Sequence, residues 1–153
     1  MDKFSAADMQ GQAKVVQQLP KIFSGQTLTI EQHYLDKDTV DIYVTATTKS
    51  QNSYLYVFEA KDRDYYHNSF DDIILEIPKY ESLMKRMGKY KSMYVHTFKD
   101  DWITIWDISK LGNLKKKYMY LPKTTVEDRG KEWRWVYMLP IKQSVYDSSF
   151  IVS

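Results

Sequence analysis

The chain has 153 residues, 43% hydrophobic and 27% charged, with 22 basic against 20 acidic side chains and no cysteine. A chain this long buries a core unaided, its 15% aromatic content argues against disorder, and without cysteine it has no disulfide, thiolate zinc site or cysteine nucleophile. Its apolar runs fall far short of the ~20 residues of a membrane span, and the segment MDKFSAADMQGQ lacks the apolar stretch of a secretory signal, so a cytoplasmic protein without membrane contact is expected.

No repeat, low-complexity tract or linker divides residues 1–153, which predicts a single domain. Ser5 to about Leu19 reads as a helix: Ser5 and Asp8 have capping-box spacing, Met9, Ala13 and Val16 share a face, and Pro20 closes the segment. Thr27–Tyr34 reads as a strand with Leu28 and Ile30 on one face. After the turn at 35–38, Val40–Thr47 alternates as a second strand, with Val40, Ile42 and Val44 against Asp41, Tyr43 and Thr45. Tyr54–Lys61 is a third strand, rich in aromatic and β-branched residues.

A second helix is predicted from about Phe70 to Met87, capped by Ser69 and Asp72 and stopped at Gly88. Its apolar stripe is Ile73, Ile77, Tyr80, Met84 and Met87, and Pro78 predicts a kink or restart near Ile77. Tyr94–Phe98 and Trp102–Ile108 read as strands joined at Lys99-Asp100-Asp101. Tyr118–Leu121 and Trp133–Leu139 read as a final hairpin with a long polar loop. The order is that of an α+β, mixed-sheet domain.

Several chemistries are absent. The glycines (11, 25, 88, 112 and 130) match no nucleotide-binding loop, no GxSxG elbow exists, and His33, His67 and His96 lack zinc-site spacing. The informative residues lie on the second and third strands. Residues two apart on a strand share a face, so Glu59 and Lys61 point the same way, in the row of Leu55 and Val57. If the two strands pair as a hairpin, Asp41 lies near Glu59. Two carboxylates and one ammonium then converge at one end of a sheet. Mg²⁺ favours such a pair, because it takes few protein ligands and keeps water and substrate phosphate. A lysine beside it can orient or deprotonate the attacking water, or neutralise developing charge. The alternative reading is an Asp–Lys–Glu ion-pair cluster capping two strands.

Asp41, seventeen intervening residues and then Glu59-Ala60-Lys61 resembles the PD-(D/E)XK nuclease superfamily, which includes restriction endonucleases and Holliday-junction resolvases. The resemblance implies a restriction-endonuclease-like αβββαβ core over about residues 5–98; the strands over about 99–153 lie outside it and read as a C-terminal β-hairpin extension. Val40 stands where the family pattern often has proline. The first helix carries Gln10, Gln12, Gln17 and Gln18, with only Asp8 near its start, where many members place a glutamate. Glu76 to Tyr80, through Lys79, is a loose counterpart of a Gln-x-x-x-Tyr helix motif. The resemblance implies a metal-dependent DNA endonuclease. Asp41, Glu59 and Lys61 would be catalytic, Asp41 and Glu59 would hold Mg²⁺ (with Mn²⁺ as a substitute), and the products would carry 5′-phosphate and 3′-hydroxyl ends. The alternatives are a non-catalytic nucleic-acid- or protein-binding module on the same fold, and a structural assembly protein.

Charge is uneven along the chain: residues 1–76 carry 7 basic and 12 acidic side chains, residues 77–153 carry 15 and 8. A polyanion held against a metal site suits that division. Arg63, Lys79, Lys85, Lys115, Lys116 and Lys117 are the candidate nucleic-acid contacts. The competing readings are a pair between Arg63 and Asp62 or Asp64, a helix-end cation at Lys85, and a solvated loop at 115–117. Trp133, Trp135 and Tyr137 alternate on one strand face, which predicts packing in the core or across a homodimer rather than base stacking.

Overall fold

The computed structural model describes residues 3–33, 41–122 and 130–149, with side chains from Met9 onward. The expected turn at 35–38 and the strand positions Tyr34 and Val40 lie outside these residues, as do the side chains of Ser5 and Asp8. The elements are α1 (Lys3–Ile22), β1 (Thr27–Gln32), β2 (Ile42–Thr47), β3 (Ser53–Asp62), β4 (Asp72–Glu76), α2 (Ile77–Arg86), β5 (Lys91–Thr97), β6 (Ile103–Asp107), β7 (Lys115–Pro122), β8 (Lys131–Pro140) and β9 (Tyr146–Asp147). The architecture is mixed α+β. Six strands form one sheet in the order β1-β2-β3-β5-β6-β9, and three form a second in the order β4-β8-β7. Among the described residues, only the β3–β5 neighbours run parallel, and the chain crosses between them through β4 and α2.

Period-2 alternation makes β2 and β3 strands with two buried faces. Ile42, Val44, Ala46 and Phe58 face α1, where they meet Val15, Leu19, Phe23, Met93, Val95, Ile103 and Ile105. Val57 and Tyr94 face the other way, into a second cluster with Leu83 of α2, Ile73 and Leu75 of β4, Trp106, and Leu139 of β8. The main sheet is thus covered on one side by α1 and on the other by α2 and the second sheet. The approach of α1 is close at Gly11, where an added Cβ would stand 3.2 Å from the Cβ of Asp62.

Several sequence expectations need correction. The segment 70–87 is not one helix. Ile73 and Leu75 are both buried, which is a strand's period, and β8 supplies the ladder partners Leu139 and Tyr137. Pro78 then falls in the first turn of α2, where its missing N–H costs nothing. Glu76, rather than Ser69, sits at the N-cap. Met84 is exposed, and Leu83, off the expected stripe, carries the helix onto the core. With β4 inserted, the element order departs from αβββαβ.

In α1 the buried face is Gly11, Gln12, Val15 and Leu19, and Ala13 is exposed. Pro20 does not stop the helix. It removes one N–H from the last turn, while Leu19 and Phe23 on either side are buried and the Phe23 N–H bonds Leu19 O at 2.9 Å. Lys115–Lys117 open β7 rather than forming a loop. Trp133 and Trp135 are not core residues: they are 58% and 55% exposed, because β7 and β8 extend past the edge of β4. Among the described residues, no helix is long and apolar enough to cross a membrane.

Candidate active site

Asp41 immediately precedes β2. The β2–β3 register pairs Ile42 with Phe58, and continuing it by one residue sets Asp41 opposite Glu59. Ile42 faces α1 and Tyr43 packs into the other cluster, so Asp41 shares the face of Tyr43, Val57, Glu59 and Lys61. Its carbonyl accepts the His33 N–H at 2.7 Å, and its Oδ2 accepts the Ala60 N–H at 2.8 Å. The Asp41 carboxylate is therefore held against the backbone between Glu59 and Lys61.

Glu59 is nearly fully buried: its side chain is 5% exposed, and it forms an ion pair with Lys79 Nζ. Lys79 lies in the first turn of α2, placed there because Pro78 starts that helix over the end of β3. Burial by itself would lower the Lys79 pKa, yet the carboxylates of Glu59, Asp41 and Glu76 together raise it above the ordinary lysine value. Lys79 remains an ammonium at any physiological pH. Glu76 in turn lies 3.7 Å from Arg134 of β8.

The wall beside this cluster comes from β5, whose Tyr94 and His96 pair in register with Glu59 and Lys61. Tyr94 Oη lies 3.0 Å from His96 Nε2 and donates to Ile74 O at 3.5 Å. Burial, then the charges of Arg63 and Lys61, hold the His96 pKa well below its ordinary value, so the imidazole is neutral. Burial likewise pushes the Tyr94 phenol upward. Strand parity marks Tyr94 and His96 as sharing a face, but only the parallel pairing with β3 brings them beside the carboxylates.

The remaining candidates spread outward. Arg63 follows β3, and its Nη2 donates to Ile74 O at 3.2 Å, tying β3 to β4. Asp62 does not serve as its partner. It takes Lys14 of α1 at 3.0 Å and the Thr97 hydroxyl at 2.7 Å, on the opposite face of the sheet. Lys85 is exposed in the last turn of α2. Lys115, Lys116 and Lys117 are exposed on β7, opposite Met138, Tyr137 and Val136. The structure thus brings together Asp41, Glu59 and Lys79 around one spot, with Lys61 and Arg63 along the same row, while Lys85 lies in the last turn of α2 and Lys115, Lys116 and Lys117 lie on the second sheet. Gln12 is buried on α1 and donates to His33 O at 2.7 Å, so this glutamine braces the backbone just before the segment leading to Asp41.

Among the described residues, no group of three or more His, Asp or Glu side chains is placed to hold a metal ion. The donor set of Asp41 and Glu59 nonetheless suits a hard, oxygen-seeking cation such as Mg²⁺, which takes one or two carboxylates and completes its shell with water and phosphate oxygens. Lys79 already supplies positive charge to that pair, so a cation there would compete with its ammonium.

No family model matches the chain, and no curated protein does so by sequence. Among solved structures, the chain is similar to Hjc, a Holliday junction resolvase from the archaeal hyperthermophile Archaeoglobus fulgidus. The superposition has a TM-score of 0.50 at 11% identity and covers 86% of this chain and 87% of the resolvase. The two proteins share a fold.

Proposed function

We propose that the chain is a metal-dependent DNA endonuclease of the PD-(D/E)XK type, with Asp41, Glu59 and Lys61 as its catalytic residues. The observation that carries this reading is the bond from the Ala60 N–H to Asp41 Oδ2, which holds one carboxylate against the strand that bears Glu59 and Lys61. The fold shared with a Holliday junction resolvase supports it and makes branched DNA the first substrate to test.

In this reading Asp41 and Glu59 would hold Mg²⁺, or Mn²⁺ in its place, which would supply Lewis-acid stabilisation at the scissile phosphate. Asp41 is held in place by the backbone, because its Oδ2 accepts the Ala60 N–H. Glu59 must share its charge between the cation and Lys79. Lys79, half exposed beside Glu59, would offer its positive charge to a phosphate oxygen. Lys61 would orient the attacking water and offset the charge that builds on the phosphate; as the new P–O bond forms the P–O3′ bond breaks, the water's proton passes to solvent and the leaving 3′-oxygen takes one from solvent, giving 5′-phosphate and 3′-hydroxyl ends. Buried Tyr94 and neutral His96 line the β5 side of the cluster, while the Lys79 side remains open to water.

The Lys79–Glu59 ion pair favours a second reading, a non-catalytic DNA-binding module in which the ammonium permanently replaces the cation. Cleavage of supercoiled plasmid and of a synthetic four-way junction decides between them. Wild type should cut with Mg²⁺ or Mn²⁺ and not with EDTA, and Asp41→Asn should not cut. Equal cutting by both proteins, or none by either, rejects the nuclease reading.

A further inference from the structure

The second sheet presents a surface that the site chemistry does not use. Register pairs Tyr118 with Trp135 and Tyr120 with Trp133, so the four rings lie on one face of the β7–β8 ribbon. They are 49%, 55%, 53% and 58% exposed, respectively. The rings are already ordered against one another: Tyr118 stacks on Trp133 with centroids 5.3 Å apart and 21° between planes, and it meets Trp135 at 5.2 Å. Tyr120 and Trp133 are 5.4 Å apart. Four large aromatics left open together on one face mark an interaction surface rather than incidental exposure.

Cations bracket this row on the same face. Lys116 Nζ lies over the Tyr137 ring at 5.5 Å at one end, and Lys131 Nζ over Tyr120 at 5.8 Å at the other. Across β7 and β8, Lys115, Lys116, Lys117, Lys131 and Arg134 stand against a single acid, Glu132. The row also leads to the candidate active site. Tyr137 packs on Tyr80 of α2 at 4.8 Å, the residue after Lys79, and Trp133 lies about 13 Å further along β8 at ~3.3 Å per residue.

We propose that this face is a stacking platform for the unpaired bases of single-stranded DNA, with Lys116 and Lys131 beside its phosphates. Every base offers a π-face to an aromatic platform, and cations along the row hold the backbone, which is how sequence-tolerant single-strand sites are built. Duplex DNA hides its base faces and has nothing to offer these rings. A second copy of the chain is the other apolar occupant, but a two-fold face-to-face pairing of this ribbon would bring the lysine-flanked ends of one row against those of the other. As a binding site the platform stands by itself. The claim that it delivers a strand to Asp41 and Glu59 rests on the nuclease reading and narrows its substrate to DNA with an unpaired segment.

The test is fluorescence anisotropy of labelled oligo(dT) and of a duplex of equal length, in EDTA at low salt, with the full chain. The Trp133→Ala/Trp135→Ala variant should bind oligo(dT) about 5- to 150-fold more weakly for each stacked base lost, while duplex affinity changes less than about 2-fold. Trp133→Phe/Trp135→Phe, which keeps an aromatic face, should retain most of the affinity. Circular dichroism and light scattering on each variant establish folding and oligomeric state. No oligo(dT) binding by wild type, equal losses on single strand and duplex, or a Phe variant as weak as the Ala variant overturns the platform. So does a wild-type dimer that the Ala variant dissociates. Intact oligo(dT) binding without any cleavage rejects the nuclease and leaves the platform standing. Metal-dependent cleavage with oligo(dT) affinity unmoved by the Ala variant does the reverse.

Discussion

Replacing Lys79 by methionine keeps the length and most of the volume of the side chain while removing its charge from Glu59. The carboxylate it leaves is only 5% exposed, whereas the Lys79 side chain is 49% exposed. Removing one partner of a fully buried ion pair costs about 3–5 kcal/mol. Because water reaches Lys79 and screens the pair, the loss here should be roughly 1–3 kcal/mol at neutral pH. The pH dependence is distinctive. A buried carboxyl that loses one neighbouring cation has its folded pKa raised, so it favours the folded state at low pH and penalises it as pH rises. The deficit of Lys79→Met should therefore be largest near pH 7–8 and shrink toward about pH 4. Adding Glu59→Gln should restore most of the lost stability. If Asp41 and Glu59 hold Mg²⁺, the variant should gain more from it than wild type, since the Lys79 ammonium no longer competes; tenfold excess over Kd adds about 1.4 kcal/mol. Urea denaturation followed by circular dichroism, at several pH values with and without Mg²⁺, measures all of this. Wild-type stability in Lys79→Met at pH 8, or a deficit that neither acid nor Glu59→Gln relieves, refutes the electrostatic reasoning.

Three other outcomes are expected. His96 is depressed in the folded state by burial and by Arg63 and Lys61, so its contribution is complete above about pH 6.5 and is lost as pH falls, at up to about 1.4 kcal/mol per unit; urea midpoints of wild type and His96→Phe should diverge between pH 7 and 5, and parallel curves would show that the imidazole takes up its proton without unfolding. Leu83→Ala should cost about 2–5 kcal/mol by denaturant titration, because Leu83 is the buried residue that seats α2 in the second cluster; a cost under about 1 kcal/mol would mean that α2 is held by other contacts. Changing Lys115, Lys116 and Lys117 together to Ala should leave folding nearly unchanged and reduce the salt dependence of DNA binding by up to about 0.9 in log–log slope for each lysine that touches a duplex phosphate; an unchanged slope places the phosphate contacts elsewhere.

Strand alternation is a local property, and where it is strong the sequence alone determined the element. Ile42 and Val44 read as one row and are buried, with Ala46 continuing it, and the period of two puts Glu59 and Lys61 on one face whatever surrounds them. The turn between β2 and β3 is short, so their antiparallel pairing, and with it the approach of Asp41 to Glu59, could also be anticipated from local spacing. Where two periods fit, locality failed. The intervals among Ile73, Ile77, Tyr80 and Met84 suit a helix, yet 72–76 is a strand because β8, some sixty residues later, offers it a ladder. Distant pairing likewise decided the partners of the site. Lys79 reaches Glu59 only because α2 starts over β3, and Tyr94 and His96 wall the cluster only because β5 runs parallel to β3. The exposure of Trp133 and Trp135 is of the same kind: their alternation is written in the chain, but whether a strand face is buried depends on what the rest of the molecule lays against it, and nothing in the sequence near residue 133 says that β4 stops short of these two residues.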